Sequence, residues 1–483
     1  MAYFVLLTHT VGDVWQRSIG PYQVAHHCRQ HGFTTQVVDF TEWFRAAELE
    51  EAVFKFVDET TLALGVSTTF YRDTIESQYV DTDTRYMLDN NPITERVNNI
   101  IDKVKIKYPN IKIIAGGASS YLVKDNAIFD AVIHGYGEVA VVNYLKSLRD
   151  KKRNLYPQLN NVDNINGAVD HFDIETLDHK WTKEDCILKE ETLPIEISRG
   201  CIFKCSFCSY PLNGKKKFDY LRDPERVKDE LISNYEQFGT TNYFFSDDTF
   251  NDSTIKLERL HKVFTSLPFK IKFVTYLRID LLHAHREQID FLYEMGLGSA
   301  FMGIETFNHE AAKSIGKGMH PNKIKDMLVE LYYEKWKEEV SFTCSLIVGL
   351  PGETKETLYN TFEWMKLHPF NDMWFPLRLG VGTYWKSDFE SNYDKYGYTL
   401  DANGNWDNGI MTYEDARSIA QEFNDQHFYK KKPPASWFEF SLLSHGYKLR
   451  EFKDTPVIEL PWKSFMLQKY RLFREYKKKL MLL

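Results

Sequence analysis

The sequence predicts an α/β protein in three parts. They are an N-terminal doubly wound parallel sheet over residues 1–150, a partial barrel of six strand-helix units over residues 194–380, and a small, mostly helical C-terminal region over residues 381–483. Residues 151–193 read as a linker. Three observations lead to this division. Short apolar runs alternate with helix-period segments through the first 150 residues, the same alternation restarts near residue 194 and continues for six units, and it breaks beyond residue 381. A chain of 483 residues is also too long for one core of ordinary size.

In the first part, YFVLLT (3–8), TQVVDF (35–40), LALGVS (62–67), IKIIAGG (111–117) and AVIHG (131–135) are buried-strand patterns bounded by turn residues. Between them, GPYQVAHHCRQHG (20–32) opens on Pro21 and stops at Gly32, and ITERVNNIIDKVKIKYP (93–109) carries helical periodicity. The polar stretch from DKKRNLYPQLNN onward shows no sustained period. IEIS (195–198), NYFFS (242–246), FKIKFVTY (269–276), GSAFMGI (298–304), VSFTCSLIVG (340–349) and MWFPLRLG (373–380) are the six barrel strands. DPERVKDELISNYEQFG (223–239) and ETKETLYNTFEWMKLHP (353–369) are among the helices between them. In such a barrel the chemistry sits on loops after the C-terminal ends of the strands. The last region holds a turn-rich loop (401–409), a capped helix from residue 412, and a basic amphipathic tail, YRLFREYKKKLMLL (470–483).

Hydrophobic and charged contents of 43% and 27% are those of an ordinary soluble protein, with no apolar run long enough for a bilayer and no signal-peptide pattern, so the expected location is cytoplasmic, without a membrane. The net charge of −8 argues against a surface that coats nucleic acid. The KKK runs at 430–432 and 477–479 fit a solvated helix face, or a local contact with nucleic acid or an acidic partner.

Half of the six cysteines, Cys201, Cys205 and Cys208, fall within eight residues directly after the first barrel strand. C-x3-C-x2-C is too tight for these thiols to pair with one another and suits a metal centre. An iron-sulfur cube or a structural zinc ion takes four ligands, and only three are local. Cys186 and Cys344 are candidates for a fourth, although Cys344 sits in an apolar strand pattern. The alternative is an iron left open for a non-protein ligand.

This spacing, Phe207 before the last cysteine and the preceding SRGC resemble the cluster loop of the radical S-adenosylmethionine (radical SAM) superfamily. The resemblance implies a 4Fe-4S cluster on Cys201, Cys205 and Cys208, with S-adenosylmethionine on the open iron. It extends to FFSDDTF (244–250), which nominates Ser246, Asp247 and Asp248 at the cofactor's methionyl end, with helix capping as the plain reading of the acidic pair. LRID (277–280) nominates Arg278, alternatively a structural ion pair, and GIET (303–306) nominates Glu305. SLIVGLP (345–351) resembles the G-x-I-x-G-x-x-P element that lies against the adenine, with Ile347, Gly349 and Pro351 matching and Ser345 where glycine is usual.

The first part resembles the cobalamin-binding Rossmann-like domain of the cobalamin-dependent branch of that superfamily, through the segments at 20–40, 64–70, 113–122 and 132–141. The resemblance implies a cobalamin site lined by Thr8, Ser67, Thr68, Gly116, Gly117, Gly135, Gly137 and Glu138. LTHTVG (7–12) keeps His9 and Gly12 of the D-x-H-x-x-G cobalt-ligating pattern but has Leu7 in place of the aspartate that would orient the imidazole. His9 is therefore either a cobalt ligand or a loop histidine, and His26 and His27 read as helix histidines.

These resemblances imply an enzyme that uses the cluster to generate a 5'-deoxyadenosyl radical, with cobalamin-dependent methyl transfer to an unactivated carbon as the outcome. They also imply a flavodoxin- or ferredoxin-like electron donor. The alternatives are a cobalamin-independent radical enzyme performing rearrangement, cyclisation or thiolation with a non-binding first domain, and a zinc-stapled interaction protein. The substrate is not legible in the sequence.

Overall fold

The computed structural model describes residues 3–9, 16–71, 93–117, 119–152, 156–167, 173–208, 215–216, 218, 220–337, 339–368, 374–379, 387–402, 404–424 and 461–483. It divides into two compact units.

The first unit is built on a sheet whose strands are β1 (Phe4–Leu7), β2 (Thr35–Val38), β3 (Ala63–Ser67), β4 (Lys112–Gly116), β5 (Ala131–His134), β6 (Gln158–Leu159) and β7 (Val162–Asn166), in the order β2-β1-β3-β4-β5-β7-β6. All neighbours pair in parallel except β6 and β7. Strands covered on both faces need no polar side, hence the unbroken apolar runs in the sequence. Alternation divides β1 between two cores. Val5 and Leu7 pack with α2 (Ala46–Phe56), α3 (Ile93–Lys107) and the C-terminal helix (Pro461–Leu482), whereas Phe4 and Leu6 pack with α1 (Ile19–Gln30) and α4 (Gly137–Arg149). The order β2-β1-β3-β4-β5 reverses direction at β1, which sets the loops after β1 and β3 side by side at a switch point.

Two expectations are corrected here. Residues 158–166, read as linker, form the β6–β7 hairpin at the edge of the first sheet. The basic tail is part of the first unit, with Phe473, Tyr476 and Leu480 buried in its core. Of the lysine run 477–479, Lys477 pairs with Glu48 and Lys479 donates to the Ile187 carbonyl. The run at 430–432 lies outside the described residues.

The C-terminal helix is fixed by a buried arginine. Arg17 lies between the rings of Tyr22, Phe40 and Tyr476, each 5.3–5.5 Å away, and donates to the carbonyls of Asp185 and Cys186 at 3.0 and 3.3 Å. Tyr22 donates to Asp39 at 2.8 Å, and the Asp39 backbone N–H donates to the Tyr476 hydroxyl at 2.8 Å.

The second unit contains six parallel strands in chain order: β8 (Leu193–Ile195), β9 (Asn242–Phe245), β10 (Lys272–Leu277), β11 (Leu297–Glu305), β12 (Ser341–Val348) and β13 (Trp374–Arg378). The connections are α5 (Pro224–Phe238), α6 (Thr254–Thr265), α7 (Ile279–Ala284), α8 (Glu287–Met295), α9 (His309–Ser314), α10 (Pro321–Glu330) and α11 (Lys355–Lys366). Then follow α12 (Asp388–Ser391), the antiparallel pair β14 (Thr399–Leu400) and β15 (Trp406–Asp407), and α13 (Tyr413–Asn424).

The helix limits follow from local chemistry. Asp223 caps α5 by accepting the Glu225 N–H, with Pro224 at its first position and Gly239 ending it at φ 71°. Thr354 and Thr357 form a reciprocal cap on α11. Rings of Phe245, Phe250, Phe264 and Phe273 pack α6 against β9 and β10. No helix among the described residues is long and apolar enough to cross a membrane.

Candidate active site

The cysteine loop leaves β8 through Ile197, Ser198 and Arg199 and turns at Gly200, whose φ of 76° is a conformation that suits glycine. Asp247, after β9, anchors this entry. One carboxylate oxygen accepts the N–H groups of Ile197 and Ser198 at 2.8 and 3.1 Å, and the other accepts the Ser198 hydroxyl at 2.8 Å. Behind it Lys256, 3% exposed, reaches Asp247 at 3.2 Å, Asp252 at 2.9 Å and the Ser198 hydroxyl at 3.1 Å. A lysine this deep is held charged by its two carboxylates, which raise its pKa against the opposing pull of desolvation.

The distal part of the loop is tied elsewhere. The Ser206 N–H donates to the Ile315 carbonyl, its own carbonyl accepts the Phe389 N–H, and the Cys208 N–H closes a turn onto Cys205 at 3.0 Å. None of the three thiols is in a disulfide; Cys201 is buried and the other two are half-buried. Cys201 Sγ lies 3.2 Å from the Thr249 hydroxyl, and Cys205 Sγ accepts from Arg278 Nη1 at 3.3 Å.

Three thiols outside any disulfide, with a hydroxyl beside Cys201 and a guanidinium beside Cys205, fit ligands of an iron-sulfur cluster. Among the described residues, no group of three or more His, Cys, Asp or Glu side chains is placed to hold a single metal ion. Cluster ligands sit on separate irons and need not converge on one point as zinc ligands do. Neither further cysteine stands on the cysteine loop: Cys186 is buried in the core of the first unit and Cys344 is buried within β12.

The other nominated residues of this unit cluster at the strand ends. Ser246 donates to the Ile195 carbonyl at 3.3 Å. Asp248 is pushed up to about 6 by burial, then by the charges of Asp247 and Glu196. Arg278 holds Asp280 through two nitrogens at 3.0 and 2.6 Å and lies 3.7 Å over the Phe203 ring. Glu305 adopts φ 68° at an irregularity between β11 and β12, and its oxygens accept from Lys317 and Ser345, each at 3.0 Å. Such a conformation in a glutamate is strained and is held here by both partners. Ile347 is buried in β12, and Phe207 is half-buried on the cysteine loop.

Gly349 has φ 101°, and a Cβ there would lie 2.4 Å from the Trp406 ring, so no larger residue fits. Glu353, fully interior, accepts the N–H groups of Gly349 and Leu350 at 3.3 Å and the hydroxyl of Thr306. Desolvation pushes its carboxyl up to about 7.

Sequence reasoning missed Thr249, Lys256, Lys317 and Glu353. Only Lys256 carried a signal, its i,i+4 spacing from Asp252. For Asp247 the structure shows an anchor of the cysteine loop, neither a helix cap nor a free carboxylate.

In the first unit, Ser67, Thr68, Gly116 and Gly117 come together at the ends of β3 and β4. The Thr68 hydroxyl donates to the Gly116 carbonyl and accepts the Ser119 N–H, both at 3.1 Å, and a Cβ on Gly117, at φ 111°, would crowd that hydroxyl at 3.2 Å. Thr8 follows β1, buried, with no hydrogen bond to its hydroxyl among the described residues. Gly135 ends β5 at φ 80°. Small residues around an unpartnered hydroxyl at the switch-point edge fit a ligand laid against backbone.

Gly137 and Glu138 instead start α4, where Gly137 meets Val24 of α1. His9 is 1% exposed, packed on Trp43 and 3.6 Å from Glu42, which is the setting of an interior histidine. Gly12 lies outside the described residues. His26 is buried beside His179, and His27 packs on His31.

Comparison with known proteins agrees with this geometry. Residues 195–365 match the family described as the Radical SAM superfamily. An uncharacterized methyltransferase of Pyrococcus horikoshii is 25% identical over 284 residues, 53% of this chain and 58% of the relative. The anaerobic magnesium-protoporphyrin IX monomethyl ester cyclase of Cereibacter sphaeroides is 25% identical over 283 residues, 53% of this chain and 44% of that protein. The chain thus spans about half the length of these relatives.

Among solved structures, the radical S-adenosylmethionine methyltransferase TsrM of Kitasatospora setae, bound to tryptophan and an S-adenosylmethionine analogue, is similar with a TM-score of 0.65 and 16% identity, covering 98% of this chain and all of that one. The cobalamin-dependent radical enzyme OxsB, with aqua-cobalamin and S-adenosylmethionine bound, is similar with a TM-score of 0.55 and 13% identity, covering 88% of this chain and 56% of that one. At these identities the likeness is one of fold. Residues 195–365 therefore carry a match to the Radical SAM superfamily, and the chain shares its fold with TsrM and OxsB.

Proposed function

We propose that this protein is a cobalamin-dependent radical SAM methyltransferase acting on an unactivated carbon. The observation that carries the reading is the cysteine loop: three thiols outside any disulfide, held after the first strand of a parallel six-stranded unit by the Asp247–Lys256 anchor. Cys201, Cys205 and Cys208 would hold a 4Fe-4S cluster, and S-adenosylmethionine would lie along Phe207, Ser246, Asp248, Arg278, Glu305, Ile347 and Gly349. Cobalamin would take the edge of the first sheet formed by Thr8, Ser67, Thr68, Gly116, Gly117 and Gly135. When bound and reduced by an external donor, the cluster would supply the electron for reductive cleavage of S-adenosylmethionine, and cobalamin would supply a carrier for the methyl group.

The chain's own residues fix positions. Asp247 sets the loop's exit from β8, Lys317 and Ser345 fix the carboxylate of Glu305, and Glu353 holds the Gly349 turn. The reductant would be a flavodoxin- or ferredoxin-like protein, and the setting the cytoplasm.

A second reading, a radical SAM enzyme whose first domain binds no cobalamin, is favoured by the burial of His9 between Trp43 and Glu42. Anaerobic reconstitution with and without hydroxocobalamin separates the two. Corrin absorption retained after desalting, with S-adenosylmethionine-dependent 5'-deoxyadenosine formation, supports the first reading, and absence of corrin bands sinks it.

A further inference from the structure

Two of the three thiol sulfurs already face a hydrogen-bond donor that comes from a different strand end. Thr249, after β9, has its hydroxyl 3.2 Å from Cys201 Sγ, and Arg278, after β10, points Nη1 at Cys205 Sγ at 3.3 Å. Thr249 has one hydroxyl proton and two neighbours able to take it, the Asp248 carbonyl at 2.8 Å and the sulfur. A cysteine bound to iron is a thiolate with no proton of its own. In that state only Thr249 can donate within the Cys201 contact.

Arg278 is fixed for the same task. Its Nε and Nη2 are taken by Asp280, its plane is held over Phe203, and its side chain is 9% exposed, so Nη1 keeps one direction. Because Asp280 neutralises the guanidinium, what reaches the sulfur is a directed N–H more than a free charge.

We propose that Thr249 and Arg278 are positioning residues that set the reduction potential of the cluster through hydrogen bonds to the Cys201 and Cys205 sulfurs, so that Arg278 serves the cluster as well as, or in place of, S-adenosylmethionine. The inference rests on the proposed cluster. Hydrogen bonds to cluster sulfurs favour the more negative reduced state and so raise its potential. Neither contact is needed to supply a ligand.

The test is an EPR-monitored redox titration of the anaerobically reconstituted full chain, with titanium(III) citrate and mediators, without S-adenosylmethionine. Leaving the cofactor out removes any role of Arg278 toward it. Thr249→Val and Arg278→Gln are each expected to keep their iron and sulfide and to make reduction about tenfold less favourable, about 59 mV lower for one electron. Thr249→Ser, which keeps the hydroxyl, returns to the wild-type potential. Wild-type potentials in Thr249→Val and Arg278→Gln with iron retained overturn the proposal. Loss of iron from these two and from Thr249→Ser also overturns it, since the contacts would then be structural. A wild-type chain that takes up no iron is a separate result, which removes the proposed function and this inference with it.

Discussion

Ser345 donates its hydroxyl to Glu305 Oε2 at 3.0 Å across neighbouring strands. It stands where the resembling element has glycine, and the structure gives the serine a use: it holds one oxygen of a buried carboxylate at φ 68° while Lys317 holds the other. Ser345→Ala leaves that oxygen unpaired. The expected loss is about 1–3 kcal/mol of stability, read as a lower Tm, with weaker S-adenosylmethionine binding by calorimetry. An unchanged Tm and affinity would show that Lys317 alone suffices.

Lys256 pairs with both Asp247 and Asp252, at 3.2 and 2.9 Å. Lys256→Met leaves two interior carboxylates without it, and removing one member of a buried pair typically costs about 3–5 kcal/mol. The expected phenotype is a chain that melts early and retains less iron after desalting. Adding Asp247→Asn should recover part of the loss, a coupling that a double-mutant cycle detects.

Glu353 gives the second unit a pH dependence of definite sign. Its folded carboxyl, pushed by burial from 4.5 to about 7, binds its proton more tightly than in the unfolded chain. The stability linked to it is therefore full below about 4.5 and is lost as pH rises through about 7, worth about 3 kcal/mol at most. Glu353→Gln should flatten the fall of Tm between pH 5 and 8 relative to wild type. Equal slopes in the two proteins would show that Glu353 does not titrate in this range.

The C-terminal helix should be integral to the first unit. Tyr476→Phe removes the hydroxyl that accepts the Asp39 N–H at 2.8 Å and strands a buried donor. A loss of about 1–3 kcal/mol is expected by thermal melting, and none if the N–H finds another acceptor.

Strands buried on both faces were legible in the sequence because their apolar runs need no partner to be recognised. β1 to β5 lie within the runs at 3–8, 35–40, 62–67, 111–117 and 131–135. The β6–β7 hairpin was not, since QLNNVDNIN is short and polar and becomes strand only by joining the edge of an existing sheet. The tail 470–483 shows its amphipathic face, but the rings that pack on it, Phe40, Trp43 and Phe44, lie more than 400 residues earlier in the chain.

At the site the cysteines were legible from spacing. Asp247 stands directly after a strand, and in the sequence an acid there reads the same whether it meets a ligand or anchors a loop. Only the positions of Ile197, Ser198 and Lys256 distinguish the two. Thr249 and Glu353 carry no pattern of their own, because their roles come from what the fold brings beside them.

The most direct test of the central claim is iron and sulfide analysis of anaerobically reconstituted wild type and Cys205→Ala, with EPR spectra of the reduced protein before and after adding S-adenosylmethionine. About four irons with matching sulfide are expected in the wild type, with a spectrum that changes on adding S-adenosylmethionine and loss of that signal in the variant. About one zinc per chain without sulfide, or a cluster spectrum indifferent to S-adenosylmethionine, would contradict it.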